Sequence, residues 1–168
     1  MKISNFILSF LVLAFLACGN SKSSENKTSA EQKKEPVESV QNKDGLTIVT
    51  IEGDDQMRFN LKEIRVKEGD LVELTLVHVG QLDVKVMGHN FVLLKPGVDI
   101  NDFAKKAMKA KDNDYIPVDS SDVIVHTEMI GGGQETSITF DAPAPGTYPF
   151  VCSFPGHVAL MNGEFIVE

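Results

Sequence analysis

Val72-Glu73-Leu74-Thr75-Leu76-Val77-His78 decides the fold class. Apolar side chains at 72, 74 and 76 alternate with Glu73 and Thr75, and a period of two puts them on one face of a strand. His78 continues that apolar face. Working outward, Ile64 and Val66 alternate with charged residues ahead of the Glu68-Gly69-Asp70 turn, and Leu46 to Ile51 is a β-branched run. Further strands are predicted at His89–Leu94, Val123–Thr127, Ser137–Phe140, Tyr148–Cys152 and Glu164–Val167. Gly131-Gly132-Gly133, Pro143-Ala144-Pro145-Gly146 and Asn162-Gly163 separate them as turns. One stretch has another period. Ile100, Phe103, Ala104, Ala107 and Met108 recur at helical spacing, with Asp99 or Asn101 placed to cap the start. About eight short strands with one inserted helix predict an all-β Greek-key sandwich or barrel.

The chain ahead of this pattern has a different composition. Lys2 precedes an apolar run from Phe6 to Ala17, the length of a signal-peptide core and short for a membrane span. The run ends in Phe15-Leu16-Ala17-Cys18-Gly19, which resembles a bacterial lipobox. Residues 1–17 are read as a lipoprotein signal peptide and Cys18 as the lipidated residue, with ordinary secretion as the alternative. Residues 18–44 are rich in Ser, Lys, Glu, Asn and Gln, too polar to bury a core, and read as a flexible tether. As a random coil, ~25 such residues would span roughly 25–30 Å. The domain is read as 45–168.

Apolar residues make up 42% of the chain, which suits a packed core. The net charge is −8. Five lysines balance five acidic residues in the tether, so the negative excess belongs to the domain. No basic cluster lies outside the tether, which argues against a nucleic-acid partner. An acidic domain favours partners with a positive or neutral docking face. There are two cysteines. With Cys18 lipidated, Cys152 stands alone, and a lone thiol in an oxidising compartment needs protection by a metal or by burial.

Cys152-Ser-Phe-Pro-Gly-His157-Val-Ala-Leu-Met161 supplies a thiolate, an imidazole and a thioether in succession. Cys152 ends a strand with Tyr148 and Phe150 on the same face. Pro155-Gly156 bends the loop that follows and can return His157 and Met161 to the same point. Met87-Gly88-His89-Asn90 lies upstream, at the start of another strand. Thiolate and thioether favour Cu(I), imidazole suits both copper states, and two His with one Cys and a weak axial Met make a blue-copper site. Zinc can occupy the same ligands. Taken singly, each of these residues reads as core.

The ordered set Gly53-Asp-Asp-Gln-Met57-Arg-Phe-Asn60, Met87-Gly-His-Asn90, Val123-Ile-Val-His-Thr127 with Ile130-Gly131, and Cys152 to Met161 resembles the azurin family closely, from about Leu46 to Val167. The resemblance implies a cupredoxin fold and one type 1 copper. It implies His89, Cys152 and His157 as equatorial ligands, Met161 as the axial one and the Gly88 carbonyl as a weak second axial contact. Asn90 would tie the two ligand loops together, and Phe154 would tune the sulfur. Met57, Leu82, Val86, Met87, Met108, Phe154, Pro155, Ala159 and Leu160 match the family's apolar collar around His157, a docking patch, although several of them also read as core. The chain departs from the family at the disulfide near the start of the domain, where Thr47 and Asp70 stand. Loss of that staple lowers the expected stability by roughly 2–4 kcal/mol if nothing compensates. Phe91 replaces the usual Trp after the first ligand His.

His78 has two readings: a satisfied buried histidine, or one close to the copper whose protonation couples weakly to redox state. His126 reads as a surface or hydrogen-bonded histidine. The resemblance implies a single-electron carrier, monomeric, with redox partners such as cytochromes, a peroxidase, a nitrite reductase or a terminal oxidase. Its expected location is the periplasmic side of a membrane, with a mild preference for the outer one because Gly19 follows Cys18. A periplasmic copper carrier is the alternative. A copper enzyme is disfavoured, because only His78 and His126 remain to ligate a catalytic metal.

Overall fold

A computed structural model describes residues 40–168. The signal-peptide stretch, Cys18 and most of the tether lie outside the described residues. The described residues form nine strands: β1 (Val40–Lys43), β2 (Leu46–Gly53), β3 (Glu63–Val66), β4 (Leu71–His78), β5 (Val92–Leu94), β6 (Val123–His126), β7 (Glu135–Asp141), β8 (Gly146–Val151) and β9 (Asn162–Val167). Two helices interrupt them, α1 (Val84–Met87) and α2 (Ile100–Ala107), with a single 3₁₀ turn at Lys111–Asn113. One sheet runs β1-β2-β4-β7 and the other β3-β9-β8-β5-β6. The β2–β4 and β3–β9 pairs are parallel and the remaining pairs antiparallel. This is the two-sheet sandwich with an inserted helix that the alternating pattern predicts.

Side-chain alternation places the core. Val72, Leu74, Leu76 and His78 of β4 are buried, as are Thr47, Val49, Ile51 and Gly53 of β2. They meet Phe150, Phe165 and Tyr148 of the opposing sheet across the sandwich. Only Phe140 of β7 is fully buried, so that edge strand is largely wet. Burial of this apolar area supplies the main favourable free energy of folding, about 25 cal/mol per Å².

The run Phe91-Val92-Leu93-Leu94 is buried without alternation. Phe91 and Leu93 face the sandwich core, whereas Val92 and Leu94 join Phe103 and Ala107 of α2 in a second cluster. The inserted helix covers the outer face of this sheet, so both faces of β5 must be apolar. Asp99 caps α2 by accepting from the Asn101 and Asp102 amides. Asp102 in its first turn and Lys105 and Lys106 in its last complement the helix dipole.

Three local differences from the sequence reading have physical causes. Val40–Lys43, inside the stretch read as tether, forms β1 along the edge of β2. Its polar side chains are exposed, and it is held by backbone pairing that composition does not reveal. The strand expected from His89 begins at Val92, and His89 is joined only by an isolated bridge to Ile130. The short helix α1 was not expected, because β-branched Val84 and Val86 mask its Asp83 cap.

At the positions where a disulfide would be expected, the Thr47 hydroxyl donates to Asp70 Oδ2 at 2.6 Å, with both residues buried. A Thr47→Val change keeps the shape but leaves that carboxylate without its donor. Urea unfolding of the metal-free protein is expected to show a loss of about 1–3 kcal/mol. A loss below about 0.5 kcal/mol would show that this contact does not hold the two strands.

Candidate metal centre

Cys152 directly follows β8, and its backbone N–H donates to the Met161 carbonyl at 2.9 Å. The intervening loop closes through Phe154 O accepting from His157 N (3.0 Å) and His157 O accepting from Met161 N (2.7 Å). Gly156 turns the chain with φ +84°, in the left-handed region where a Cβ is strained. His89 reaches the same place from the segment leading into β5, which pairs antiparallel with β8 so that Val92 lies opposite Val151, and it is fixed by paired backbone bonds to Ile130 at 2.9 Å each way.

The donor atoms of His89, Cys152 and His157 all lie within 4.8 Å of one another, and all three residues are buried. Both Nδ1 atoms face the sulfur, His157 at 3.6 Å and His89 at 4.0 Å. His89 Nε2 donates to the Asp54 carbonyl at 3.0 Å, which fixes the tautomer and leaves Nδ1 free to ligate. The Gly88 carbonyl is 3.8 Å from the sulfur. A Cβ on Gly53 would lie 2.6 Å from the His89 ring and 3.3 Å from the Met161 methyl. Gly53 therefore forms the close wall between the imidazole and the thioether, a role that no side-chain pattern could signal. Met161 is fully buried.

Asn90 joins the two loops. Its Oδ1 accepts from Ser153 N at 2.8 Å, and its Nδ2 donates to Ser153 Oγ at 2.8 Å and to the Asp114 carbonyl at 3.2 Å. The Phe154 ring lies 4.7 Å from the His157 ring, centroid to centroid. Thr127, buried beside them, accepts from Phe91 N at 2.9 Å.

His78 stacks on His89 with centroids 4.2 Å apart and planes 18° from parallel. It accepts from Gly80 N at Nδ1 (3.1 Å), so Nε2 carries the proton donated to the Met87 carbonyl (2.8 Å). It is a satisfied buried histidine, and it also lies against a histidine of the donor cluster. His126 is exposed and stands apart from the cluster. Of the collar residues, Leu82, Val86, Met108, Ala159 and Leu160 are exposed, while Met57, Met87, Phe154 and Pro155 are partly buried. Met57 and Phe154 also pack on the main core.

The matching family model is that of copper binding proteins, plastocyanin/azurin family, over residues 46–168. The chain belongs to the plastocyanin/azurin family. It is 42% identical to azurin of Pseudomonas chlororaphis over 125 residues, covering 71% of this chain and 97% of that protein. It is equally identical to outer membrane protein H.8 of Neisseria gonorrhoeae over 123 residues, covering 71% of this chain and 67% of that protein. Reduced auracyanin from Roseiflexus castenholzii superposes with a TM-score of 0.66 at 32% identity, covering 76% of this chain and 99% of that one. Members of the plastocyanin/azurin family are electron carriers, not enzymes. In this chain His89, Cys152 and His157 are arranged as a site for one copper.

The donor set fits copper chemically as well as geometrically. Burial pushes the Cys152 thiol up to about 12, against the opposing pull of the Asn90 and Phe154 amides. Burial, with repulsion from His89 and His78, brings His157 down to about 4. Burial lowers His89 too. At neutral pH both imidazoles are therefore unprotonated and ready to ligate, and metal binding must displace one proton from Cys152.

The same shifts set the pH profile of the metal-free protein. An unfolded histidine takes up a proton near 6.5 and the folded His157 only near about 4, so stability falls as pH drops from 6.5 towards 4. The effect is on the order of 3 kcal/mol. An unfolded cysteine loses its proton near 9.0 and the folded one near about 12, so stability also falls as pH rises above 9.0. Urea unfolding in chelator across this range is expected to give a plateau between 6.5 and 9.0. A maximum below pH 6 would contradict this assignment of burial.

Proposed function

We propose that this protein carries single electrons between redox proteins on the periplasmic side of a membrane, held there by lipid on Cys18. His89, Cys152 and His157 would hold the copper, with Met161 and the Gly88 carbonyl as weaker contacts. Copper supplies the one-electron couple between Cu(II) and Cu(I). The observation that carries the reading is the orientation of the donors by protein hydrogen bonds alone. Asp54 sets the His89 ring, Asn90 locks Ser153 beside Cys152, and the Met161 carbonyl holds the Cys152 amide. A site fixed in this way changes little on gaining or losing one electron. The same rigidity weighs against a copper carrier, which needs a site that opens.

The residues divide the remaining work. Phe154 packs on the His157 ring, His78 stacks on His89 and Met161 is fully buried, so the donor cluster is shielded from water. Among the described residues the His157 Nε2 atom has no hydrogen-bond partner, and no fully buried side-chain nitrogen or oxygen lacks one. That nitrogen therefore touches solvent and offers the exit for the electron. Exposed Val86 (61%), Met108 (52%), Leu160 (50%) and Leu82 (40%) supply the apolar contact for a partner such as a cytochrome, a peroxidase, a nitrite reductase or a terminal oxidase. Small, short-lived interfaces of this kind suit redox encounters. The membrane location is supported by the Ala17-Cys18-Gly19 pattern and by the similarity to a Neisseria protein named for the outer membrane.

The copper-loaded protein is expected to show an intense visible sulfur-to-copper charge-transfer band that a Cys152→Ser variant lacks. Folded, copper-bound protein without the band would remove the electron-carrier reading. The docking patch has its own test. Leu160→Glu and Val86→Glu are each expected to leave the band unchanged and to slow electron self-exchange by about tenfold, through like charge at the contact. An unchanged exchange rate in both would place docking elsewhere.

A further inference from the structure

Beside the metal centre, and outside the apolar collar apart from Phe154, lies a cleft of about 370 Å³ between α1 and the chain that follows the 3₁₀ turn. Lys85 and Lys111 stand at its rim, Tyr115, Phe154 and Met129 form its apolar wall, and Asp114 lies between. The Tyr115 ring meets Phe154 edge-on with centroids 5.4 Å apart, and Phe154 meets His157 at 4.7 Å. An unbroken line of three rings thus joins the cleft to the exit histidine.

The wall is held firmly. Asp114 and Tyr115 are both left-handed, with φ +48° and +57°, a costly conformation for two successive residues with side chains. The Asp114 carbonyl accepts from Asn90 Nδ2 at 3.2 Å and from Ser153 Oγ at 3.5 Å, and its Oδ2 accepts from Met129 N at 3.3 Å. The same Asn90–Ser153 contact that sets the donor loops therefore also sets Tyr115. The Asp114 carboxylate is partly occupied by an amide, whereas Lys85 and Lys111 form no ion pair among the described residues.

The charges of the domain are unevenly spread. Residues 83–122, which include both helices, carry six lysines against seven aspartates. The rest of the chain from residue 46 carries four basic side chains against twelve acidic ones. Segment 83–122 is thus close to charge balance while the rest of the domain is strongly acidic, and both unpaired lysines that flank the aromatic wall belong to the balanced segment, where an anionic surface meets the least repulsion.

We infer that this cleft is a docking site for an acidic redox partner, whose carboxylates pair with Lys85 and Lys111 while the electron passes between His157 and the partner along Phe154 and Tyr115. The inference rests on the electron-carrier reading and names the partner chemistry for it. One electron leaves the reduced protein and reduces the partner by one electron. No bond or proton is exchanged.

The test uses the copper-loaded full chain in its reduced form, with hexacyanoferrate(III) as an anionic acceptor and tris(phenanthroline)cobalt(III) as a cationic one, followed by stopped-flow at low salt. A Lys85→Glu/Lys111→Glu variant is compared with Lys67→Glu/Lys95→Glu, which makes the same change in net charge away from the cleft. The cleft variant is expected to slow the anionic acceptor by about tenfold or more relative to the control variant, and to leave the cationic one no slower. Tyr115→Ala is expected to slow the anionic acceptor with the visible band unchanged, and Tyr115→Phe to restore the rate. Equal slowing by the two charge variants, or equal loss for both acceptors, overturns the docking site while leaving the electron carrier intact. Failure of the unaltered protein to reduce either acceptor overturns the electron-carrier reading itself.

Discussion

The paired hydrogen bonds between Asn90 and Ser153 are the contact on which the site depends. Asn90 belongs to the segment that carries His89, and Ser153 belongs to the loop that carries Cys152, His157 and Met161. The two segments are 63 residues apart in sequence, and the β5–β8 pairing stops short of them at Val92 and Val151. A buried amide that satisfies a backbone N–H and a hydroxyl, and also donates to the Asp114 carbonyl, fixes three segments with one side chain. Buried polar groups left unpaired are costly, so the arrangement has few alternatives of comparable free energy. The spacing of the donor atoms follows from that restriction.

Burial imposes the second constraint, and it acts on protonation. A thiol at the edge of an apolar core resists ionisation, while an imidazole there resists taking a proton. Both effects come from the same desolvation, yet they act oppositely on metal affinity. The imidazoles are left in their ligating form, while the thiol would have to release its proton to solvent in order to ligate. In a cavity that excludes water, the Cys152 thiolate would supply the negative charge that a bound cation needs. Ligand identity alone would not produce this. The sandwich core that surrounds Cys152, with Phe150, Phe91 and Met161, is part of the electronic environment of the site.

Much of this was legible in the sequence, and the parts that were not share a cause. The alternation in 72–78 placed β4 with its buried face correctly, because each side chain reports its own environment. The helical spacing from Ile100 to Met108 and the Asp99 cap likewise corresponded to α2. Cys152, His157 and Met161 could be grouped from spacing and His89 joined to them from donor chemistry, whereas the separate role of each ligand came only from the family resemblance. Backbone contributions left no such trace. The carbonyl of Asp54 that orients His89, the missing Cβ of Gly53 and the edge pairing of β1 depend on main-chain atoms that every residue possesses. The expected cost of the missing staple also looks different in the fold, because Thr47 and Asp70 meet as a buried hydrogen-bonded pair.

The Asp114–Tyr115 turn shows how a departure from local preference can be informative. Two successive side chains in the left-handed region would be expected to relax unless other contacts outweigh the strain. Here the contacts that hold them come from the residues that also order the donor loops. The strain is therefore coupled to the site: loosening Asn90 would free both the Cys152 loop and the Tyr115 ring. Tyr115 also donates its N–H to the Ala110 carbonyl at 3.0 Å and packs on the α2 cluster, so the metal centre and the inserted helix hold this element together. A partner bound against Tyr115 would thus meet a wall whose position relative to His157 is set by buried hydrogen bonds. Electron transfer depends on that separation more steeply than binding does, so rigidity at this point serves the transfer step even where the encounter itself is brief.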